Sequence, residues 1–213
     1  MARTVGSDGE KTAKAIQEKS LELFARHGYA AVSMRQIADA VGIQASGLYQ
    51  YYKTKQQMLL DVMQRHMDEL LAAWENSNCP ADPTDALEHF TRFHISFHLT
   101  RPDAVFVSYM ELRSLEEAEF DAIEALRKRY ERILRDILRQ GAAEKSFQIA
   151  DPHVSAMAIL AMITGVNTWY RSGGRLSQSK IRELYVAMVR GAVGLLPTQT
   201  PNSNDVQREV VHV

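Results

Sequence analysis

Hydrophobic positions recur at spacings of three and four along most of this 213-residue chain, and no window shows the sustained alternation of a half-buried strand. The pattern predicts an all-α protein. From Lys11 to His27 the apolar positions Ala13, Ile16, Leu23 and Phe24 line one helical face, and Gly28 supplies a stop. Residues 1–10 precede this pattern, are polar, and read as a disordered leader. At Ser33 the start signals are fuller. Ser33 and Gln36 fit a capping box, Val32 and Ile37 stand where a hydrophobic staple needs them, and Gly42 ends the helix after two turns.

Two short helices meeting at a glycine outline a helix-turn-helix. Its packing needs a small residue on the first helix, glycine in the turn and an apolar residue reaching back from the second. Ala38, Gly42 and Leu48 fill these places. Thr54, with Gln57 three residues on, offers a second capping box and opens a long helix from Lys55 towards Trp74. The composition then shifts to the linker NSNCPADPTD, in which Asp82 caps and Pro83 starts a new helix. Further helices are expected near 83–99, 103–114, 117–141, 152–171 and 178–195, with a mobile tail from 197. The organisation predicted is an N-terminal three-helix helix-turn-helix domain (1–55, leader included), a second helical domain (56–196), and the tail (197–213).

One segment, VSAMAILAMITGVNTWY, is almost wholly apolar over 17 residues. It is short of the roughly 20 residues that a bilayer requires, and Ser155, Thr164, Asn167 and Thr168 interrupt it. No membrane association is expected. A helix apolar on all sides is instead buried on two, by its own domain and by a second copy of the chain. Ala156, Leu160 and Ile163, with Ile181, Leu184, Tyr185, Met188, Val189 and Ala192 on the last helix, are the candidate homodimer contacts; the alternative is that the last-helix stripe is core of the single chain.

Composition changes this picture at two points. The lone Cys79 excludes an intrachain disulfide and a four-cysteine zinc site, which places the chain in a reducing, cytoplasmic setting. Net charge is −1, yet residues 1–55 carry eight Lys/Arg against five Asp/Glu. A basic N-terminal quarter on an acidic body points to an anionic partner. Lys55, in the first turn of its helix, opposes the helix dipole and is better placed if a DNA phosphate meets it.

In the middle of the chain FTRFHISFH and VFVSYMELR gather aromatics with a few polar groups, the make-up of a small-molecule cavity and equally of an aromatic core. His94 and His98 have the spacing of paired zinc ligands, but no third ligand accompanies them, so neither metal nor cofactor is expected. No phosphate loop, nucleophile elbow or catalytic carboxylate pair stands out, and the chain does not read as an enzyme.

The stretch SMRQIADAVGI…LYQYYKTKQQML, within residues 11 to about 60, resembles the DNA-binding domain of the TetR family of bacterial transcriptional regulators. The resemblance implies that the second short helix enters the major groove of a palindromic double-stranded operator. Tyr49 would bond a phosphate through its hydroxyl, with Ser33, Tyr51 and Lys55 holding others. Tyr52 is expected beneath the long helix. Base reading falls to Arg35, whose fork suits guanine, and to Gln44, Ala45, Ser46, Gly47 and Gln50. Relatives often have Ser or Thr where this chain has Gln44, a poorer cap. Ala45 and Gly47 offer bases little beyond methyl contact, so shape and phosphate contacts are expected to carry an unusual share of affinity.

The stretch VNTWYRSGGRLSQSKIRELYVAMVRGAVG resembles the C-terminal part of TetR regulators of fatty-acid, aromatic-acid and sterol breakdown, whose effectors are acyl-CoA thioesters. That resemblance implies an acyl chain between the middle helices, near Phe93, His94, Phe97, Tyr109 and Trp169. Arg113, Arg171 and Arg175 would then meet the CoA phosphates. The reading is a dimeric, ligand-responsive repressor released by an acyl-CoA. The alternatives are a multidrug-sensing repressor of an efflux system and, more remotely, a helical ligand-binding protein or enzyme that does not bind DNA.

Overall fold

Five helices of the computed structural model, which describes residues 7–195, start where a side chain takes over the backbone's hydrogen bonds. Helices α1 (Ser7–His27), α2 (Met34–Val41), α3 (Ala45–Leu48) and α4 (Lys55–Glu75) form the N-terminal part. Then follow α5 (Pro83–Leu99), α6 (Pro102–Met110), a 3-10 turn (Leu112–Ser114), α7 (Glu117–Ala143), α8 (Pro152–Thr164), α9 (Val166–Trp169) and α10 (Gln178–Ala192). No strand occurs among the described residues.

The Ser33 capping box is complete: its hydroxyl accepts from the Gln36 N–H, and the Gln36 side chain accepts from the Ser33 N–H at 2.8 Å. Val32 and Ile37 are both buried, as a staple requires. Gly42 takes the left-handed conformation (φ 77°), which lets its N–H reach the Ala38 and Asp39 carbonyls while the chain turns towards α3. At α4 the box is only half formed. Thr54 accepts from the Gln57 N–H, but the Gln57 side chain accepts from the N–H of Lys53 instead of that of Thr54. Asp82, Asp151 and Ser177 cap α5, α8 and α10.

Three boundaries differ most from the sequence reading. Helix α1 begins at Ser7, inside the expected leader; residues 1–6 and the tail 197–213 lie outside the described residues. The helix expected over 103–114 ends at Met110 and tightens into the 3-10 turn. The helix expected over 152–171 breaks at Gly165, where side chains compete for the backbone carbonyls: Asn167 donates to Thr164 and the Thr168 hydroxyl to Gly165.

Two hydrophobic cores result. The first joins Ile16 and Phe24 of α1, Ile37 and Ala38 of α2, Leu48 of α3, the first half of α4, and Val107 and Ile123 from α6 and α7. The second fills the body with Leu70 and Trp74 of α4, Phe90 of α5, Leu134 of α7, Ile159 of α8 and Val189 of α10. Helix α4 serves both, so the N-terminal part and the body share one continuous rod. Helix α6 also packs on α1. Two hydrogen bonds tie the segment after it to the N-terminal part: Tyr29 N–H to Glu111 at 3.0 Å, and the Gln56 amide to the Ser114 carbonyl at 2.7 Å.

The stripe assigned to a dimer is divided by this packing. Ala156, Ile163, Ile181 and Val189 are buried in the chain's own core and cannot meet a second copy, because the helical face they lie on is the inward one. Leu160 is half-buried against the same core and Tyr185 stacks on Trp169. Leu184, Met188 and Ala192 do face outward, together with Val154 and Met157 of α8.

Candidate nucleic-acid interface and effector cavity

Leu48 anchors α3, being fully buried against the first core, and the residues around it are left at the surface. Arg35, Gln44, Ala45, Ser46, Tyr49, Gln50 and Tyr51 are exposed, and Gly47 is half-buried. Tyr49 and Tyr51 present 46% and 39% of their surfaces, large values for aromatic side chains in a folded protein and suited to a partner that covers them. Tyr52 is turned away, donating its hydroxyl to Asp61 of α4 at 2.5 Å. Gln44 caps α3 without a side-chain bond.

Lys55 and Ser33 are already engaged. The Lys55 ammonium donates to the carbonyls of Tyr29 and Val32, both at 2.8 Å, and lies 4.1 Å from the centre of the Tyr29 ring. Burial lowers its pKa, and the Glu111 carboxylate opposes that shift. An ammonium has three donors, so one is left for a phosphate. The Ser33 hydroxyl donates to Gln36 at 2.8 Å.

A cavity of about 510 Å³ lies between α4, α5, α6, α7 and α8. Apolar side chains including Met67, Leu70, Leu112, Phe120 and Leu160 line it, and Lys128 and His153 stand on its exposed margin. The arginine on its wall is Arg127, whose guanidinium donates to the Ser108 carbonyl at 3.3 Å and stacks over the Tyr109 ring at 4.5 Å. The acidic groups beside it are paired: Glu124 with Lys128 at 2.9 Å, and Glu131 with His153 at 3.1 Å and Arg135 at 3.7 Å.

Of the residues proposed from sequence for an effector, Tyr109 is brought to this cavity and the others are not. Phe93 packs on Trp74, and Phe97 is buried in the second core. Trp169 is exposed and stacks on Tyr185. Arg113 is exposed on the 3-10 turn, Arg171 donates to the carbonyls of Tyr170 and Thr168, and Arg175 is exposed in the loop before α10. His94 is fully buried behind the wall, within 3.0 Å of Thr164, which lines the cavity. The basic run of α7 was the available signal for Arg127, but helical spacing alone did not say which of its cations points inward.

His94 belongs to a buried cluster. Its ring stacks on His98 with centroids 3.9 Å apart, and His66 of α4 meets His98 edge-on at 5.6 Å. The His94 carbonyl can only accept, so His98 Nδ1, 2.8 Å away, carries the proton of that ring. Desolvation holds all three below the ordinary histidine range, His66 at about 4 and His98 at about 3, so the rings are neutral near pH 7. His94 and His98 thus serve packing and hydrogen bonding. Among the described residues no group of three or more His, Cys, Asp or Glu is placed to hold a metal.

A capped helix-turn-helix with exposed tyrosines, built on a helical body that encloses a cavity, defines a DNA-binding transcriptional regulator and not an enzyme. Comparison with known proteins narrows the class. Residues 16–62 match the family described as bacterial regulatory proteins, tetR family, and residues 80–193 match the tetracyclin repressor-like C-terminal domain. The chain is 31% identical over 179 residues to the transcriptional repressor KstR2 of Mycolicibacterium smegmatis, covering 80% of this chain and 85% of that one. A crystal structure of a tetR-family regulatory protein from Rhodococcus RHA1 superposes with a TM-score of 0.81 at 27% identity, covering 86% of this chain and 97% of that one. The structure of AibR in complex with isovaleryl coenzyme A and operator DNA superposes with a TM-score of 0.76 at 27% identity, covering 84% and 97%. The chain belongs to the TetR family. No helix among the described residues is long and apolar enough to cross a membrane.

Proposed function

We propose that this protein is a dimeric cytoplasmic repressor that leaves its palindromic operator when an acyl-CoA thioester enters the cavity. The observation that carries the reading is that cavity, which combines an apolar patch (Met67, Leu70, Leu112, Phe120, Met157, Leu160) with Arg127 on its wall and Lys128 at its margin. An acyl chain suits the interior, and guanidinium and ammonium groups suit the CoA phosphates. The kinship with a repressor and with a regulator crystallised with an acyl-CoA supports it.

On the DNA side, Tyr49, Tyr51, Ser33 and the remaining donor of Lys55 are proposed for phosphates, and Arg35 with Gln44, Ala45, Ser46, Gly47 and Gln50 for the bases. Residues 1–55 are proposed as the DNA-binding unit and 56–196 as the effector and dimerisation unit, joined by α4. Leu184, Met188 and Ala192 with Val154 and Met157 form the proposed dimer surface. Transmission follows from the packing: the cavity is walled by α4 and α6, and the Glu111 bond to Tyr29 fastens the end of α6 to the loop before α2. A ligand that favours one placement of α6 shifts the N-terminal part by its differential affinity for the two placements.

Thermal melting against acyl-CoAs, free CoA, fatty acids and cationic drugs tests the effector class. A ligand at about 100 times its dissociation constant adds roughly 2.7 kcal/mol, which is several degrees for a chain of this size. The expected result is a shift with acyl-CoAs and none with CoA alone. A shift confined to cationic drugs would transfer the reading to a multidrug-sensing repressor.

A further inference from the structure

Two buried polar atoms, each on a residue that lines the cavity, have no hydrogen-bond partner among the described residues. They are Ser108 Oγ on α6 and His66 Nδ1 on α4. Both residues are almost wholly enclosed, Ser108 at 2% and His66 at 4% exposure. The other buried polar groups nearby are engaged: Tyr130 and Thr164 with His94, and His98 Nδ1 with the His94 carbonyl. A buried polar group without a partner is costly and rare in folded proteins. Two of them on facing helices of one cavity are groups that a hydrogen-bonding guest satisfies and a plain hydrocarbon chain does not.

We infer that the inner wall of the cavity reads a neutral oxygen function, a keto or hydroxyl group on the buried part of the effector, with Ser108 and His66 as the residues that recognise it. The inference rests on the reading of this cavity as the effector site. The serine hydroxyl both donates and accepts and turns about a single bond, so it serves a carbonyl or an alcohol. His98, neutral with its proton on Nδ1, leaves Nε2 as an acceptor on the same wall. The rings are neutral, and the guanidinium on the cavity wall, Arg127, is engaged by the Ser108 carbonyl and the Tyr109 ring, which favours an uncharged oxygen at Ser108 and His66. His66 also borders a smaller crevice beside α1, about 320 Å³ in volume. Ser108 lines only the larger cavity of the two, and therefore carries the decisive test.

The experiment is a binding titration of the full chain and its Ser108→Ala and His66→Leu variants. The probes are a medium-chain acyl-CoA and its oxo and hydroxy derivatives with the oxygen moved stepwise along the chain, together with the corresponding ketones and alcohols lacking CoA. The expected result is that at least one oxygenated probe binds the wild type roughly tenfold tighter than its plain counterpart, about the worth of one such hydrogen bond. That preference should vanish in Ser108→Ala while plain chains bind as before. The free Ser108→Ala protein should melt no lower than wild type, since it loses a hydroxyl that has no partner; a marked loss would show that the hydroxyl is already bonded and overturn the inference. Equal affinity for plain and oxygenated acyl-CoAs would overturn it too, leaving the effector class intact. Recognition of the CoA-free ketones or alcohols alone, with the same dependence on Ser108, would uphold it and remove acyl-CoA as the effector. Failure of every probe would sink both.

Discussion

Lys55 holds two backbone carbonyls, those of Tyr29 and Val32, and so closes the loop between α1 and α2 against the start of α4. This makes it a structural residue before any DNA arrives. Lys55→Ala should lower stability by about 1–3 kcal/mol, the usual cost of losing charge-assisted bonds, and chemical denaturation measures this directly. A purely phosphate-binding lysine would leave the denaturation midpoint in place. The buried histidines add a pH dependence. His66 and His98 titrate near 4 and 3 when folded, against 6.5 for an ordinary histidine, so between these values the unfolded chain binds more protons. Their neutral forms are therefore fully compatible with the fold above about pH 6.5, and stability is lost as pH falls, by about 1.4 kcal/mol per unit for each ring. The melting temperature should drop between pH 6.5 and about 5, and His66→Leu should flatten that slope; an unchanged slope in the variant would place its cause elsewhere. Which lysine or histidine is enclosed could not be read from the sequence, because enclosure depends on neighbours distant along the chain.

Element boundaries were far more legible, since caps are local chemistry. Ser33, Gly42, Asp82 with Pro83, Asp151 and Ser177 all act where their residue types suggest. The break at Gly165 escaped the reading because hydrophobicity runs through it, while Asn167 and Thr168 redirect the backbone bonds. Gly141 escaped it too. A Cβ there would lie 2.1 Å from the buried Phe147 ring, so this glycine is where the chain leaving α7 folds back on the helix. Gly141→Ala should cost at least about 1–3 kcal/mol by overpacking, read as a lowered denaturation midpoint. Wild-type stability in that variant would mean that the ring moves aside freely.

On the scale of the whole molecule, the helical repeat and the helix-turn-helix motif were sufficient to define the fold and its family. The effector site was not legible, since the cavity draws its walls from five helices and the arginine run of α7 has several candidates for each face. The dimer surface was half legible: apolar periodicity marks a buried face but not whether the chain or its copy buries it. Met188, 52% exposed on α10, tests the outward set. Met188→Glu should shift the protein from dimer to monomer in sedimentation velocity and weaken operator binding with it. A dimer unaffected by that charge would move the interface off α10.

The central claim is that this chain binds a two-half-site DNA and releases it on meeting an acyl-CoA. Its most direct test is to select duplexes from a random pool with the purified protein, then follow fluorescence anisotropy of the enriched duplex while an acyl-CoA panel is titrated in. The expected result is a palindromic site, released by at least one acyl-CoA and not by free CoA. A selected site whose affinity is indifferent to every acyl-CoA would contradict the account and leave a TetR-family DNA-binding protein that answers to another signal.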